Sequence, residues 1–298
     1  MPAAHPRQWE WPTLALLAAV LGVLVLGVTA FSEVFLPLGI CVTALALVLH
    51  SSLTHEVLHG HPFPSRIASE ALAWVQPGLF VPYLRFRDLH LAHHQDARLT
   101  DPYDDPESNY LEPAVWARLP AWRKRLLDVN NTLAGRLLVG PLIGQAAFLR
   151  DDWRAIRAGD RQSLRGWVLH LPGVAVVVGL VVLSPMPLWA YLLACYLALS
   201  ILRIRTFLEH RAHVRASGRT VIIEDRGLLA FLFLNNNLHV VHHMHPRVPW
   251  YRLPALYHAN RQRYITRNHG YVYRSYRQIF GLYFWRRKDE VAHPLWQD

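Results

Sequence analysis

Three short stretches of the sequence carry histidines at spacings that suit metal binding. HEVLH runs from His55 to His59, HLAHH ends at His94, and HVVHH ends at His243. Residues three and four positions apart lie on the same face of a helix, so each stretch can direct several imidazoles into one small volume. Histidine is the commonest metal ligand in proteins, and this spacing therefore predicts a metal site.

The size of this histidine set indicates more than one metal ion. His210, which follows the last long apolar segment, adds to the three stretches. A single zinc ion takes about four protein ligands in a structural site and about three in a catalytic site. A set of nine exceeds that need, and we predict a site for two metals. The nine candidate ligands are His55, His59, His90, His93, His94, His210, His239, His242 and His243.

Two other classes of metal protein fit part of this pattern. In HExxH proteases two histidines bind zinc and the glutamate between them is the general base, a role that Glu56 would take here. That interpretation leaves both HxxHH stretches without a use, and we do not favour it. A metal transporter or sensor would carry its ligands along a path through the membrane. The predicted spans are nearly free of ionisable groups, which argues against such a path.

Long apolar segments must position these histidines, and they indicate a membrane protein. Hydrophobic residues make up 52% of the 298-residue chain, and its mean hydropathy is +0.13. A helix that crosses a membrane needs about 20 apolar residues. We expect four spanning helices, paired in two hairpins with short external turns, at residues 12–31, 34–54, 167–183 and 188–206.

The basic residues predict the orientation of the chain in the membrane. They crowd into residues 55–166 and 207–298, which the positive-inside rule places in the cytoplasm. At about 1.5 Å of rise per residue, both His55 and His210 emerge from their helices near the cytoplasmic face. The expected fold is therefore a single all-α membrane domain over residues 1–298, with four spanning helices and a cytoplasmic helical cap that holds the dimetal site.

The net charge of +10 needs no nucleic-acid partner to explain it. Basic residues on the cytoplasmic face lie beside anionic lipid, which attracts them. We therefore expect a membrane and no nucleic acid among the partners. A basic surface of this kind also suits an acidic electron-transfer protein.

A metal pair at the membrane face suits oxidative chemistry on a lipid. Imidazole is a good ligand for iron, and two irons with open positions can bind and reductively cleave O₂ to attack an unactivated C–H bond. Nitrogen ligands also avoid the anionic charge that carboxylates would bring close to lipid. A substrate chain can reach such a site directly from the bilayer.

The motifs resemble those of the membrane fatty-acid desaturase and hydroxylase superfamily. HEVLH, HLAHH and HVVHH match the three histidine boxes of that superfamily in order. Glu209 and His210, in TFLEHR, are similar to the extra histidine that follows the last membrane helix in alkane hydroxylases and carotenoid ketolases. The resemblance extends from about His50 to Pro254. The last box departs from the commonest pattern of animal acyl-CoA desaturases and looks closer to bacterial desaturase-like proteins and to carotenoid ketolases and hydroxylases.

The resemblance implies that the nine histidines ligate two iron ions, with O₂ as co-substrate and no separate catalytic residue. His61, His213 and His245 stay open as replacements for one of the nine. Metal-bound imidazoles normally donate their other N–H to a carboxylate or carbonyl group. The candidates for that supporting role are Glu56, Asp88, Asp96, Asp101, Glu209 and Asn237.

The leading functional hypothesis is a diiron fatty acyl desaturase that introduces a double bond into a lipid chain. The alternative on the same scaffold is a hydroxylase or ketolase that acts on a carotenoid or an alkyl chain, and the alternative outside enzymes is a metal transporter. The resemblance implies electrons from a separate donor such as a ferredoxin. We expect an integral protein of the inner membrane with its active site on the cytoplasmic side.

Overall fold

Helices make up most of the part of the chain that the computed structural model describes, which is residues 9–296 apart from the side chain of Asp96. The described chain forms two compact units. The first unit holds the residues before Leu89 together with Leu142–Ile201. The second unit holds Leu89–Pro141 together with the residues from Leu202 onward.

The helices are numbered in chain order. They are α1 (Trp11–Leu26), α2 (Ser32–Val34), α3 (Leu36–Leu58), α4 (Arg66–Leu72), α5 (Tyr83–His93), α6 (Pro113–Arg118), α7 (Ala121–Asn130), α8 (Leu133–Leu138), α9 (Gly140–Arg157), α10 (Arg161–Val182), α11 (Leu188–Thr206), α12 (Leu228–Leu232), α13 (His239–Met244), α14 (Leu253–Ala259), α15 (Arg261–Arg267) and α16 (Tyr276–Tyr283). A π-helical turn, Gly27–Phe31, joins α1 to α2. Two short parallel strands, β1 (Ile222–Ile223) and β2 (Val272–Tyr273), pair with Ile222 opposite Val272.

Within residues 9–296, four helical segments are long and apolar enough to cross a membrane. They are Trp11–Val34, Leu36–Leu58, Arg161–Val182 and Leu188–Thr206. Large apolar side chains such as Val25, Val34 and Leu180 are exposed on them, as lipid contact requires. These helices indicate an integral membrane protein, and the predicted all-α class is confirmed. The two-hairpin pairing and the cytoplasmic cap stay predictions.

Local sequence determines where the spanning helices begin and end. The extended backbone of Phe35, with φ −157°, separates α2 from α3, and Pro37 lies in the first turn of α3, where its missing N–H costs no hydrogen bond. The third span begins before the predicted residue 167, because the side chain of Asp160 caps α10 by accepting from the N–H groups of Gln162 and Ser163.

Small residues allow α3 to lie close to the segment that precedes it. A Cβ added to Gly39 would lie 2.1 Å from Ser32 Oγ and 2.8 Å from Ser32 Cα. A Cβ added to Gly27 would lie 2.5 Å from Thr43 Oγ1. Close backbone approach through glycine is a common means of packing membrane helices, since lipid supplies no hydrophobic force between them.

Substitution of Gly39 by alanine is expected to destabilise the protein by about 1–3 kcal/mol, because the new methyl group meets backbone atoms that must shift. Gly22→Ala is the matched control, since a Cβ at Gly22 has no heavy atom within 4 Å. Thermal unfolding in detergent should show a lower midpoint for Gly39→Ala and no loss for Gly22→Ala. Equal midpoints for the two variants would contradict the packing argument.

The segment between α4 and α5 lies against two of the spanning helices inside the first unit. His170 Nε2 on α10 is 2.7 Å from the carbonyl oxygen of Leu79, and Tyr191 Oη on α11 donates to the carbonyl oxygen of Pro77 at 2.8 Å. Arg85 on α5 forms a bidentate, buried ion pair with Asp152 on α9, at 2.8 and 2.9 Å. These contacts fix the start of α5, the helix that carries the second histidine box.

In the second unit, α13 lies over an apolar core. Its buried apolar residues pack with those of β1, α14 and α15, and the core consists of Ile222, Leu238, Val240, Val241, Leu253, Tyr257 and Tyr264. Backbone hydrogen bonds also connect two histidine segments through the stretch before β1, because Val221 N donates to Glu209 O and Val240 N donates to Val221 O. The helix that carries the third box is therefore held at a fixed distance from Glu209 and His210.

Candidate metal centre

The second and third histidine boxes lie on or directly after short helical segments, and their spacing predicted helices there. His90 and His93 occupy the last turn of α5, and His94 follows it directly. The third box is α13 itself, which begins at His239. His210 forms an isolated β-bridge with Thr220, so its backbone is fixed although it lies outside a helix.

Four imidazoles of the second unit form one group. Their nitrogen ligand atoms lie within 4.8 Å of one another, and the members are His93, His210, His239 and His243. His210 Nε2 is 2.9 Å from His93 Nε2 and 3.2 Å from His239 Nε2. We refer to these four residues as the inner group.

Three further imidazoles of the second unit form another group, His90, His94 and His242, which we refer to as the outer group. His94 Nε2 is 2.9 Å from His90 Nε2 and 3.1 Å from His242 Nε2. Within each box, the first and the last histidine belong to one group and the middle histidine belongs to the other. The first and the last are four positions apart, about one helical turn, so they project in similar directions. Each HxxHH box thus contributes imidazoles to both groups.

Carboxylates hold the far side of two of these rings. His93 Nδ1 donates to Asp105 Oδ1 at 2.7 Å, and His90 Nδ1 donates to Glu107 Oε1 at 2.9 Å. Asp105 is in turn fixed by the N–H groups of Thr100 and Glu107, at 2.9 and 3.0 Å. A carboxylate behind an imidazole fixes its tautomer and raises its basicity as a metal ligand.

These partners leave more lone pairs than protons between the rings. His93 and His239 each place Nδ1 against an oxygen acceptor, Asp105 or Asn236, so in its neutral form each ring turns the lone pair of Nε2 toward His210. His210 can supply one proton at Nε2 to one of them only. A shared cation satisfies all three nitrogen atoms, and the donor chemistry therefore fits a metal ion.

The spacing between the nitrogen atoms also fits a metal ion. A metal–imidazole bond is about 2.0–2.1 Å long, so two ligands at a right angle to each other would have nitrogen atoms about 3 Å apart. The closest nitrogen pairs in the two groups lie between 2.9 and 3.2 Å. Imidazole-rich sites suit zinc, copper, iron or nickel rather than magnesium or calcium.

Burial favours the ligand form of the inner histidines. It lowers the pKa of His210 and His239 well below the usual value, so both rings are neutral at neutral pH. Burial also opposes the charged form of His93, but Glu107 and Asp105 outweigh it and raise its pKa to about 9. A metal ion bound by His93 would displace that proton, so metal binding at this position is coupled to proton release.

The first unit carries the remaining predicted pair. His55 and His59 lie at the end of α3, and their ring centroids are 4.9 Å apart. Glu56, between them, is buried. His61, which the sequence left open as a ligand, places Nδ1 2.7 Å from Glu10 Oε1 in a buried pair.

The predicted supporting residues have mixed placements. Glu209 is buried, with Oε1 3.2 Å from Asn236 Nδ2 and 3.8 Å from His239 Nδ1. Asn237 donates instead to the carbonyl oxygen of Ile223 and so stabilises the backbone before α12. The side chain of Asp96 lies outside the part of the chain that the structure describes.

Two of the predicted carboxylates accept hydrogen bonds from groups other than histidine. Asp88 accepts hydrogen bonds from Arg87 and Gln162. Asp101 accepts from the N–H groups of Tyr103 and Asp104, so it caps a turn. Two of the other open candidates, His213 and His245, lie in neither imidazole group; His213 stacks on His269.

The supporting residues that sequence analysis missed are Asp105, Glu107 and Asn236. The first two belong to LTDPYDDPES, a turn rich in carboxylates that follows the second box closely. Asn236 precedes the third box by three residues, in the turn before α13, and its Oδ1 lies 3.1 Å from His239 Nδ1. The cluster of carboxylates soon after the second histidine box could therefore have indicated that supporting residues lie in this turn. It did not indicate which carboxylate faces the imidazoles.

Comparison with known proteins assigns this constellation to a family. The fatty acid desaturase family matches residues 32–277. A β-carotene ketolase of Paracoccus sp. strain N81106 is 26% identical over 231 residues, which cover 74% of this chain and 76% of that protein. A β-carotene ketolase of Paracoccus sp. strain PC1 is 25% identical over 220 residues, which cover 70% of this chain and 72% of that protein.

Proposed function

This chain belongs to the fatty acid desaturase family, and from that premise we propose that it is a membrane-bound enzyme that uses O₂ to oxidise a C–H bond of a hydrophobic substrate. The observation that carries the proposal is the convergence of seven imidazoles of the second unit into two groups. A protease with a single zinc ion would leave one of the two groups without a use.

We propose that the centre holds two iron ions. The inner group would hold one ion, and the outer group, completed by His55 and His59 as the family resemblance implies, would hold the other. When bound, such a pair supplies the redox chemistry that activates O₂ toward an unactivated C–H bond. All nine histidines predicted from the sequence then have a role.

The chain's own residues would keep this centre in one geometry. Asp105 and Glu107 hold the rings of His93 and His90 by their Nδ1 atoms, and Asn236 holds His239. The rings of His90, His93, His239 and His242 are almost completely buried, which limits access by water. Preorganised ligands of this kind require little rearrangement when substrate arrives.

We propose ketolation of a carotenoid ring as the reaction. Both curated relatives are named as β-carotene ketolases, and each match covers more than two thirds of this chain. Replacement of a CH₂ group by C=O requires two successive oxygenations of the same carbon, followed by loss of water. The substrate would reach the centre from the bilayer, where carotenoids dissolve.

Acyl-chain desaturation is the second candidate, because the family match covers most of the chain. Both reactions begin with hydrogen abstraction from a C–H bond. Removal of a second hydrogen from the neighbouring carbon gives an alkene, whereas oxygen transfer to the same carbon gives an alcohol and then a ketone. Substrate placement decides between them.

Expression in a host that accumulates β-carotene and has a characterised lipid profile tests the proposal by mass spectrometry. Ketolation adds about fourteen mass units per oxidised carbon, hydroxylation adds about sixteen, and desaturation removes about two. We expect the first of these in the carotenoid fraction, and no change with the His242→Ala variant. A loss of two mass units in acyl chains with unchanged carotenoids would replace ketolation by desaturation.

The remaining parts of the proposal concern the surroundings of the enzyme. Electrons would come from a separate donor such as a ferredoxin. The active site would face the cytoplasm at the inner membrane, as the distribution of basic residues predicts.

A further inference from the structure

A basic depression opens on the surface of the second unit beside the third histidine box. Its lining residues are Arg215, Ser217, Met244, Arg263, Thr266, Arg267 and His269. Three of these seven are arginines and none is acidic. The three arginines are exposed. The depression therefore presents a concentrated positive charge to solvent.

The basic residues of the depression lie on fixed elements of the fold. Arg263 and Arg267 are four residues apart on α15, so they project from one face of that helix. His269 stacks on His213 with ring centroids 4.8 Å apart, and its Nε2 lies 3.3 Å from Ser217 Oγ. α15 and the 3-10 turn after Arg215 therefore set the backbone positions of these basic residues, and a basic surface of this kind favours a partner with a matching negative surface.

Met244 connects the depression to the candidate metal centre. It lines the depression and is the last residue of α13, the helix that carries His239, His242 and His243. The peptide bond between His243 and Met244 is therefore the shortest covalent route from the surface of the depression to a member of the inner group.

We propose that an acidic, one-electron iron–sulfur protein docks in this depression and delivers electrons to the centre through α13. This inference rests on the proposed function, in which each oxygenation by O₂ consumes two electrons and two protons and releases one water. A ferredoxin-type donor supplies these electrons one at a time. The positive charge of the depression would attract and orient an acidic donor.

Binding of a defined probe tests the docking surface without any requirement for catalysis. The protein, in nanodiscs of neutral phosphatidylcholine, is titrated with a plant-type 2Fe–2S ferredoxin at low and at physiological salt. The Arg263→Glu/Arg267→Glu variant is expected to weaken binding about tenfold or more, chiefly through slower association. Binding by the unaltered protein should weaken as salt rises, since salt screens exposed charges.

The matched control is Arg274→Glu/Arg277→Glu, which makes the same change of net charge at exposed arginines outside the lining of the depression. It should bind ferredoxin as the unaltered protein does. The proposal would be overturned if both variants bound ferredoxin equally weakly, or if neither variant bound it more weakly than the unaltered protein. A variant at Arg263 and Arg267 that loses copurified phosphatidylglycerol but keeps its ferredoxin affinity would also overturn it, because the depression would then serve a lipid headgroup.

Single turnover separates failure of docking from failure of the proposed function. Iron-loaded protein is reduced chemically, mixed with β-carotene and exposed to O₂ in the absence of ferredoxin. The Arg263→Glu/Arg267→Glu variant should form as much product as the unaltered protein and should be slow only when ferredoxin is the reductant. Absence of product from the unaltered protein would refute the proposed function, whereas equal ferredoxin-driven rates would refute the docking site.

Discussion

Replacement of His93 by alanine is expected to lower the iron content of the purified protein from about two ions to about one per chain and to reduce product formation by more than about 100-fold. His93 Nε2 lies 2.9 Å from His210 Nε2 at the centre of the inner group. Its loss leaves Asp105 without the imidazole that it orients. Metal analysis of nanodisc samples and product quantification measure the two effects.

His258→Ala is the matched control for this variant. His258 is exposed on α14 and belongs to neither imidazole group, so its removal should leave the iron content and the turnover unchanged. A thermal unfolding curve for each variant shows whether the protein remains folded without its full complement of metal. Retention of both ions by a folded His93→Ala protein would refute the assignment of the inner group.

The candidate metal-binding histidines could be predicted from the sequence because their spacing follows the helical period. The i, i+3 and i+4 spacing within HLAHH and HVVHH predicts that the rings of each box project from a helix, and α5 and α13 lie at these boxes in the structure. The division of each box between two groups was not predicted. It depends on the direction in which α5 and α13 present their last turns, and tertiary packing decides this.

The carboxylates that support the rings were predicted less well, for a reason that lies in backbone conformation. The sequence indicates Asp101 of the acidic turn as a supporting residue, whereas Asp105 is the residue that contacts His93. Thr100, near the start of the acidic turn, has a positive φ of 71°, a left-handed conformation that few non-glycine residues adopt. Propensity rules do not predict such a conformation at threonine, so the facing carboxylate could not be identified from spacing alone.

The histidine motifs also do not identify the reaction. In the proposed centre the three boxes supply the metal ligands, and the same ligands would serve desaturation or ketolation. The difference lies in which substrate carbon is held nearest to the centre, and small displacements suffice to change it. Similarity over most of the chain to two ketolases supplied information that the boxes do not contain.

Substitution of Asp105 by asparagine is expected to weaken metal binding by about 10–100-fold while the fold is retained. Asp105 Oδ1 accepts from His93 Nδ1 and Glu107 N, and Oδ2 accepts from Thr100 N. An asparagine side chain has a single acceptor oxygen, so its NH₂ group would face either Thr100 N–H or His93 N–H as a second donor. The negative charge that makes His93 a more basic ligand is lost as well.

Asp104→Asn provides the comparison. Asp104 is exposed in the same turn, and its substitution also removes one negative charge. Iron titration under competition with a chelator should show weaker binding at one of two sites for Asp105→Asn and unaltered binding for Asp104→Asn. A purely structural role for Asp105 would lower the unfolding midpoint of the metal-free protein and leave its iron affinity unchanged. The two roles therefore differ in a measurable way, since orientation of His93 by a buried carboxylate changes metal affinity directly.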